Sequence, residues 1–149
     1  MSARDASRGL IWHGLFLFLL GLLTGVIIPL LTSPRLGLAA HLEALLNGML
    51  LVLIGGIVWE RLRLPAGVER MSYWLLLCAA YATWGFCLMA AFVGAGRTLA
   101  IAGAGYFAAE WQEQLVSAGL TVGAICITAA CCFLLYGLRS GAREEASGA

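Results

Sequence analysis

Three polar side chains interrupt the apolar run that leads from Ala40 to Trp59: His41, Glu43 and Asn47. A histidine can give a nitrogen lone pair to a metal, a carboxylate can move a proton, and a carboxamide can donate and accept hydrogen bonds. Their spacing sorts them. At about 100° per residue, Glu43 and Asn47, four apart, share a helix face, whereas His41 and Asn47, six apart, point roughly 120° away from each other. One helix does not readily aim His41 and Asn47 at the same point, so they serve two sites, or one site shared between neighbouring subunits. The plainer alternative is that both hydrogen-bond across helices and merely fix packing.

The elements that must position them follow from composition. The chain has 149 residues, 62% hydrophobic and 11% charged, and a mean hydropathy of +0.93, which excludes an ordinary water-soluble domain. A membrane span needs about 20 mainly apolar residues, and the sequence predicts one transmembrane domain with helices over about 10–31, 34–59, 71–94 and 113–138. These runs are too continuous to alternate as barrel strands do, so the fold class is an all-α membrane protein, a four-transmembrane-helix bundle in the lipid bilayer. At such depth an ionisable residue is expensive and marks a functional candidate.

Charge placement is informative where net charge, +1, is not. With four spans, both termini and the connection between the second and third helices share one side. That side carries Arg4, Arg8, Arg61, Arg63, Arg70, Arg139 and Arg143, against Arg35 and Arg97 opposite. The positive-inside rule then puts both termini in the cytoplasm and the protein in the inner (cytoplasmic) membrane. The first run has no small-residue cleavage site and reads as a retained helix. There is no basic nucleic-acid patch, Walker loop, paired-ligand zinc motif or GxSxG elbow, so no nucleic-acid partner is expected.

Along the chain, the first dozen residues read as frayed, with Trp12 and His13 at the membrane interface. Gly21 with Gly25, and Gly119 with Gly123, form small-xxx-small faces that admit a neighbouring helix. Ser33-Pro34 reads as an N-cap and first turn, which sets His41 about 10 Å into the second helix and buried. His13 and His41 then lie at opposite ends of the first helix, about 27 Å apart by rise, which disfavours a bis-histidine site. Tyr73 and Trp74 suit an interface belt, while Tyr81, Trp84 and Cys87 fall at mid-membrane. The glycine-rich stretch 94–114 either lids a pocket or lies at the interface. The five cysteines, inside spans and without CxxC spacing, read as packing residues, and the tail after Arg139 as disordered. A lone neutral imidazole in an apolar bundle suits axial ligation of haem iron, with one iron face left open for chemistry.

The pattern His13-Gly14, Leu22-Leu23-Thr24-Gly25, Ala40 to Met49 with its His-x5-Asn-Gly core, and Tyr81-Ala82-Thr83-Trp84-Gly85-Phe86 resembles the hydroxylaminobenzene mutases, which are similar to the membrane-bound styrene oxide isomerases. The resemblance spans roughly residues 10–138. It implies a homotrimer with haem b at a subunit interface, His41 as axial ligand to the haem iron, and Asn47 as a substrate-positioning group. It also implies a small aromatic substrate. Tyr81, Trp84 and Cys87 are then substrate-lining candidates, and Glu43 the candidate proton carrier. The isomerases' substrate-contacting tyrosine is replaced by Cys87 and their third-helix aspartate by Ala79, which counts against epoxide isomerisation and for the arylhydroxylamine branch. The expected reaction moves hydroxyl from nitrogen to the ortho ring carbon, giving 2-aminophenol. Alternatives are a haem-dependent epoxide isomerase, taking styrene oxide to phenylacetaldehyde, and a non-enzymatic b-type haem membrane protein.

Overall fold

The computed structural model describes the backbone of residues 2–147 and the side chains of residues 2–140. Four helices carry the chain: α1 (Ala3–Ile27), α2 (Pro34–Leu53), α3 (Ala66–Val93) and α4 (Glu110–Ser147), with no strand among the described residues. A 3-10 turn (Ile28–Leu30) extends α1; a π-helical turn (Ile54–Val58) and a 3-10 turn (Trp59–Arg61) extend α2. With these turns each helix is long and apolar enough to cross a bilayer, making this a multi-pass membrane protein.

The helices run up and down. α1 packs along α2, α2 along α3 and α3 along α4, while α1 and α4 do not meet among the described residues. Leu62 and Leu64, between α2 and α3, border Gly137 of α4, and the Arg63 amide donates to the Gly137 carbonyl (3.2 Å). At the opposite end Thr32 and Ser33 bond to the carbonyls of Phe92 and Ala91. The α1–α2 pair closes on glycine. A Cβ on Gly14 would lie 2.7 Å from the Gly48 carbonyl, and one on Gly48 would lie 2.8 Å from the Gly14 carbonyl. Backbones this close require residues without side chains, the device by which membrane helices gain van der Waals contact where the hydrophobic effect is absent.

Several expectations from sequence are corrected. The N-terminus is not frayed, because Ser2 and Asp5 form a capping box and the Ser7 hydroxyl donates to the Gly55 carbonyl (2.7 Å), tying α1 to the π-helical turn of α2. Ser33 stands at the N-cap of α2, but its side chain makes no capping bond. Tyr73 turns inward, with its ring edge-on to Trp59, and only Trp74 faces outward as a belt residue. Cys87 is buried as a packing residue would be, whereas Cys78, Cys131 and Cys132 lie on the outer face. Beyond Arg139 the backbone stays helical to Ser147, where Ala142, Arg143, Glu144, Glu145 and Ala146 are mostly good helix formers.

The connection between α3 and α4 is built on one carboxylate. Glu113, 3% exposed, accepts the backbone N–H groups of Gly96 (3.1 Å), Arg97 (3.1 Å) and Ala108 (3.3 Å), and the Arg97 guanidinium forms a two-pronged ion pair with Glu110. A left-handed Gly94 ends α3, with φ 77°.

Candidate functional site

His41 sits in the seam between α1 and α2. A Cβ on Gly25 would lie 2.9 Å from His41 Nδ1, and one on Gly21 would lie 2.9 Å from Ala44 Cβ. The small-xxx-small face of α1 therefore makes room for the turn that carries the imidazole. His41 Nδ1 stands 2.7 Å from the Gly21 carbonyl oxygen. A carbonyl only accepts, so Nδ1 carries the hydrogen and a neutral ring keeps its lone pair on Nε2. A backbone carbonyl that fixes tautomer and ring orientation in this way is the usual support of a metal-binding histidine.

The side chain is half-buried, not buried as expected. It lies level with Gly21 and Gly25, eight to twelve residues beyond His13, hence about 12–18 Å from it along α1 and not 27 Å. The difference is the return of α2 from Pro34 to His41, which brings the imidazole back along α1. The bis-histidine site stays disfavoured for a second reason: His13 Nδ1 pairs with the Tyr81 hydroxyl (3.0 Å).

Glu43 and Asn47 lie on the next face of α2, turned toward α3. Asn47 Nδ2 donates to Glu43 Oε2 (3.0 Å) and to Thr83 Oγ1 (3.0 Å), and Thr83 in turn donates to the Ala79 carbonyl (2.9 Å). The angular separation read from the sequence is thus realised, with His41 bonded to α1 and Asn47 to α3. Magnitudes bear on why these groups are here. Hydrogen bonds between membrane helices contribute about 0.6 kcal/mol on average, whereas an ionisable side chain at the bilayer centre costs about 2.5–3.5 kcal/mol even on the mildest scales. Glu43 and its partners are a poor packing device and a good site.

Of the other candidates, Trp84 reaches α1, its Nε1–H donating to Thr24 Oγ1 (3.2 Å). Tyr81 is held by His13. Cys87 lies one turn beyond Thr83 on the same side of α3 and is buried. The structure therefore gathers Glu43, Asn47 and Cys87 around Thr83, and sets Tyr81 and Trp84 against α1. Sequence reasoning did not assign Thr83 to the site. Its partner is 36 residues away, and the only available signal was a hydroxyl inside the Tyr81–Phe86 motif. Among the described residues no three His, Cys, Asp or Glu side chains gather as they would around a metal ion held by protein ligands alone.

A multi-pass helical bundle with an imidazole, a carboxylate and a carboxamide on one helix within the membrane is an enzyme-like site for a small apolar molecule. The chain belongs to the styrene oxide isomerase family, whose sequence model matches residues 6–139. It is similar to hydroxylaminobenzene mutase HabB of Ectopseudomonas oleovorans, 39% identical over 135 residues, 90% of this chain and 82% of the relative. Hydroxylaminobenzene mutase HabA of the same organism is 46% identical over 92 residues, 62% of this chain and 67% of the relative. No solved structure matches the chain. It is an isomerase of the mutase type, and the non-enzymatic alternative falls away.

Proposed function

We propose that the protein is a hydroxylaminobenzene mutase, converting hydroxylaminobenzene to 2-aminophenol by intramolecular transfer of hydroxyl with no net oxidation or reduction. The observation that carries the site reading is the His41 imidazole, fixed through Nδ1 by the Gly21 carbonyl with Nε2 left as the lone-pair nitrogen. That donor chemistry fits a haem, which needs a single protein nitrogen where a bare ion would need several. His41 Nε2 would hold the iron of a haem b, which when bound supplies a Lewis acid able to draw charge from the N-hydroxyl oxygen.

The remaining work falls to the chain's own side chains. Asn47 orients the polar end of the substrate and Glu43 moves a proton between nitrogen, oxygen and ring carbon as the hydroxyl migrates. Trp84, steadied by Thr24, and Tyr81, steadied by His13, offer aromatic faces to the substrate ring. Cys87 lines the site where the epoxide isomerases carry a tyrosine. Because His41 and Asn47 leave α2 in different directions, a homotrimer with the haem between subunits lets both reach one substrate. The arginine distribution supports an inner-membrane location with both termini cytoplasmic.

Purified protein in detergent, given hydroxylaminobenzene and no NAD(P)H, is expected to form 2-aminophenol, and His41→Ala to lower the rate at least about 100-fold. Lack of product from the wild type overturns the mutase reading. Activity surviving His41→Ala removes the role of His41, and a wild-type absorption spectrum without a Soret band removes the haem. The family's own name favours a second reading, epoxide isomerisation. With Cys87 in place of the tyrosine, styrene oxide is expected to turn over at no more than about a hundredth of the hydroxylaminobenzene rate.

A further inference from the structure

We infer that Asn47 presents its amide oxygen, not its N–H2 group, to the bound molecule, so that the site selects aromatic ligands carrying an N–H or O–H donor beside the ring, and that Thr83 is the residue that sets this specificity. The inference rests on the reading that Asn47 faces the substrate.

The amide orientation is dictated by chemistry. Thr83 Oγ1 has one hydrogen and directs it to the Ala79 carbonyl at 2.9 Å, with the Ala80 carbonyl at 3.3 Å as a secondary acceptor. Toward Asn47, 3.0 Å away, that oxygen can only accept, so the group facing it is Nδ2. The second Nδ2 hydrogen goes to Glu43 Oε2 at 3.0 Å. Both amide donors are thereby used inside the protein. The amide oxygen receives no donor from any described residue, and Asn47 is half-buried. What the side chain has left to offer is an acceptor.

Thr83 is itself clamped. A Cβ on Gly123 of α4 would lie 2.7 Å from Thr83 Cγ2, so the bare glycine receives the methyl group while the hydroxyl turns to α2. A β-branched side chain held on both branches has one rotamer. An arylhydroxylamine brings two donors, one on nitrogen and one on oxygen, and satisfies the waiting acceptor. An epoxide or a carbonyl compound brings none and leaves the amide oxygen unpaired, a loss of about one order of magnitude in binding. This acts in the same direction as the absent tyrosine, through a different atom.

The test uses equilibrium binding of non-substrates to the purified, full-length protein in nanodiscs, so that it does not depend on turnover. The probes are benzyl alcohol and aniline, which carry O–H or N–H donors, against benzaldehyde, an acceptor of similar size. After correction for partition into the lipid, the wild type is expected to bind at least one donor probe roughly tenfold more tightly than benzaldehyde. Thr83→Val keeps the shape but removes the acceptor that fixes the Asn47 amide, so the carboxamide can turn and offer an N–H to the benzaldehyde carbonyl. The donor-to-acceptor affinity ratio should fall roughly tenfold, and Thr83→Ser, which restores the hydroxyl, should restore it. Equal binding of donors and benzaldehyde by the wild type overturns the inference, and so does a ratio that Thr83→Val leaves unchanged. The mutase reading is judged separately, by 2-aminophenol formation.

Discussion

At the scale of single residues, Glu43 holds the Asn47 amide, and the proposed function gives it a second, separable job, moving a proton. Glu43→Gln divides them, since a glutamine carbonyl can still accept from Asn47 Nδ2 at the observed 3.0 Å, while the side chain no longer exchanges protons. The expected outcome is a KM for hydroxylaminobenzene within about twofold of wild type and a kcat lower by about 10²–10⁴, the usual worth of general acid–base catalysis. Steady-state kinetics on the purified variant decide it, and an unchanged kcat assigns the proton transfer elsewhere. Much of this site was legible in the sequence because its key relations are local. The four-residue interval put Glu43 and Asn47 on one face, and the six-residue interval turned His41 away. What was not legible were the atoms that hold them, the Gly21 carbonyl and the Thr83 hydroxyl, because backbone groups leave no mark in a sequence and contacts across 20 or 36 residues carry no local period.

At the scale of elements, the seam between α1 and α2 is set by bare backbone, and the position of His41 depends on it. Ser7 meets Gly55, Gly14 meets Gly48, Gly21 meets Ala44 and Gly25 meets the His41 ring, an antiparallel ladder of small residues along the whole pair. Gly48→Leu inserts a branched side chain where a Cβ alone would stand 2.8 Å from the Gly14 carbonyl and 2.9 Å from the Phe18 amide. Neither is the movable end of a side chain, so the helices must part. Overpacking of this kind costs about 1–3 kcal/mol, and the variant is expected to unfold correspondingly earlier in a denaturant titration followed by circular dichroism in detergent. Gly56→Ala, one residue from Gly55 but with nothing within 4 Å of its added methyl, should not lower that midpoint and should raise it slightly, because alanine gives up less backbone freedom than glycine. Equal midpoints for Gly48→Leu and wild type would show that the seam does not limit stability. Two of the small-residue pairs were visible as motifs. Gly14 and Gly48 stand in the family pattern but were not legible as a facing pair, since a glycine in a membrane helix gains this meaning only when the facing glycine is known. The ordered N-terminus escaped for a related reason: its residues are polar, but Ser2 and Asp5 direct that polarity into a capping box.

At the scale of the molecule, the divergence of His41 and Asn47 bears on how many chains build one site. Within one chain the imidazole is committed to α1 and the carboxamide to α3, on faces of α2 about 120° apart. The outer surface of α2 meanwhile presents Leu38, Leu42, Leu46, Met49 and Leu53, an exposed apolar stripe that lipid or another copy of the chain can cover. If the active site lies between copies, the histidine of one chain works with the asparagine of the next, and two inactive variants should rescue each other. Co-expression of His41→Ala with Asn47→Leu in equal amounts, followed by purification through a tag on each, tests this. If the assembly is the proposed homotrimer, every trimer that carries both tags has one interface in three with an intact His41 on one side and an intact Asn47 on the other, so about a third of the wild-type activity should return. A site contained in one chain returns none, because every chain then lacks either His41 or Asn47. The two outcomes differ by far more than assay error. Complementation would also explain why the chain tolerates His41, Glu43 and Asn47 on one membrane helix: the polar groups that a lone protomer leaves half-buried would be enclosed only when neighbours meet.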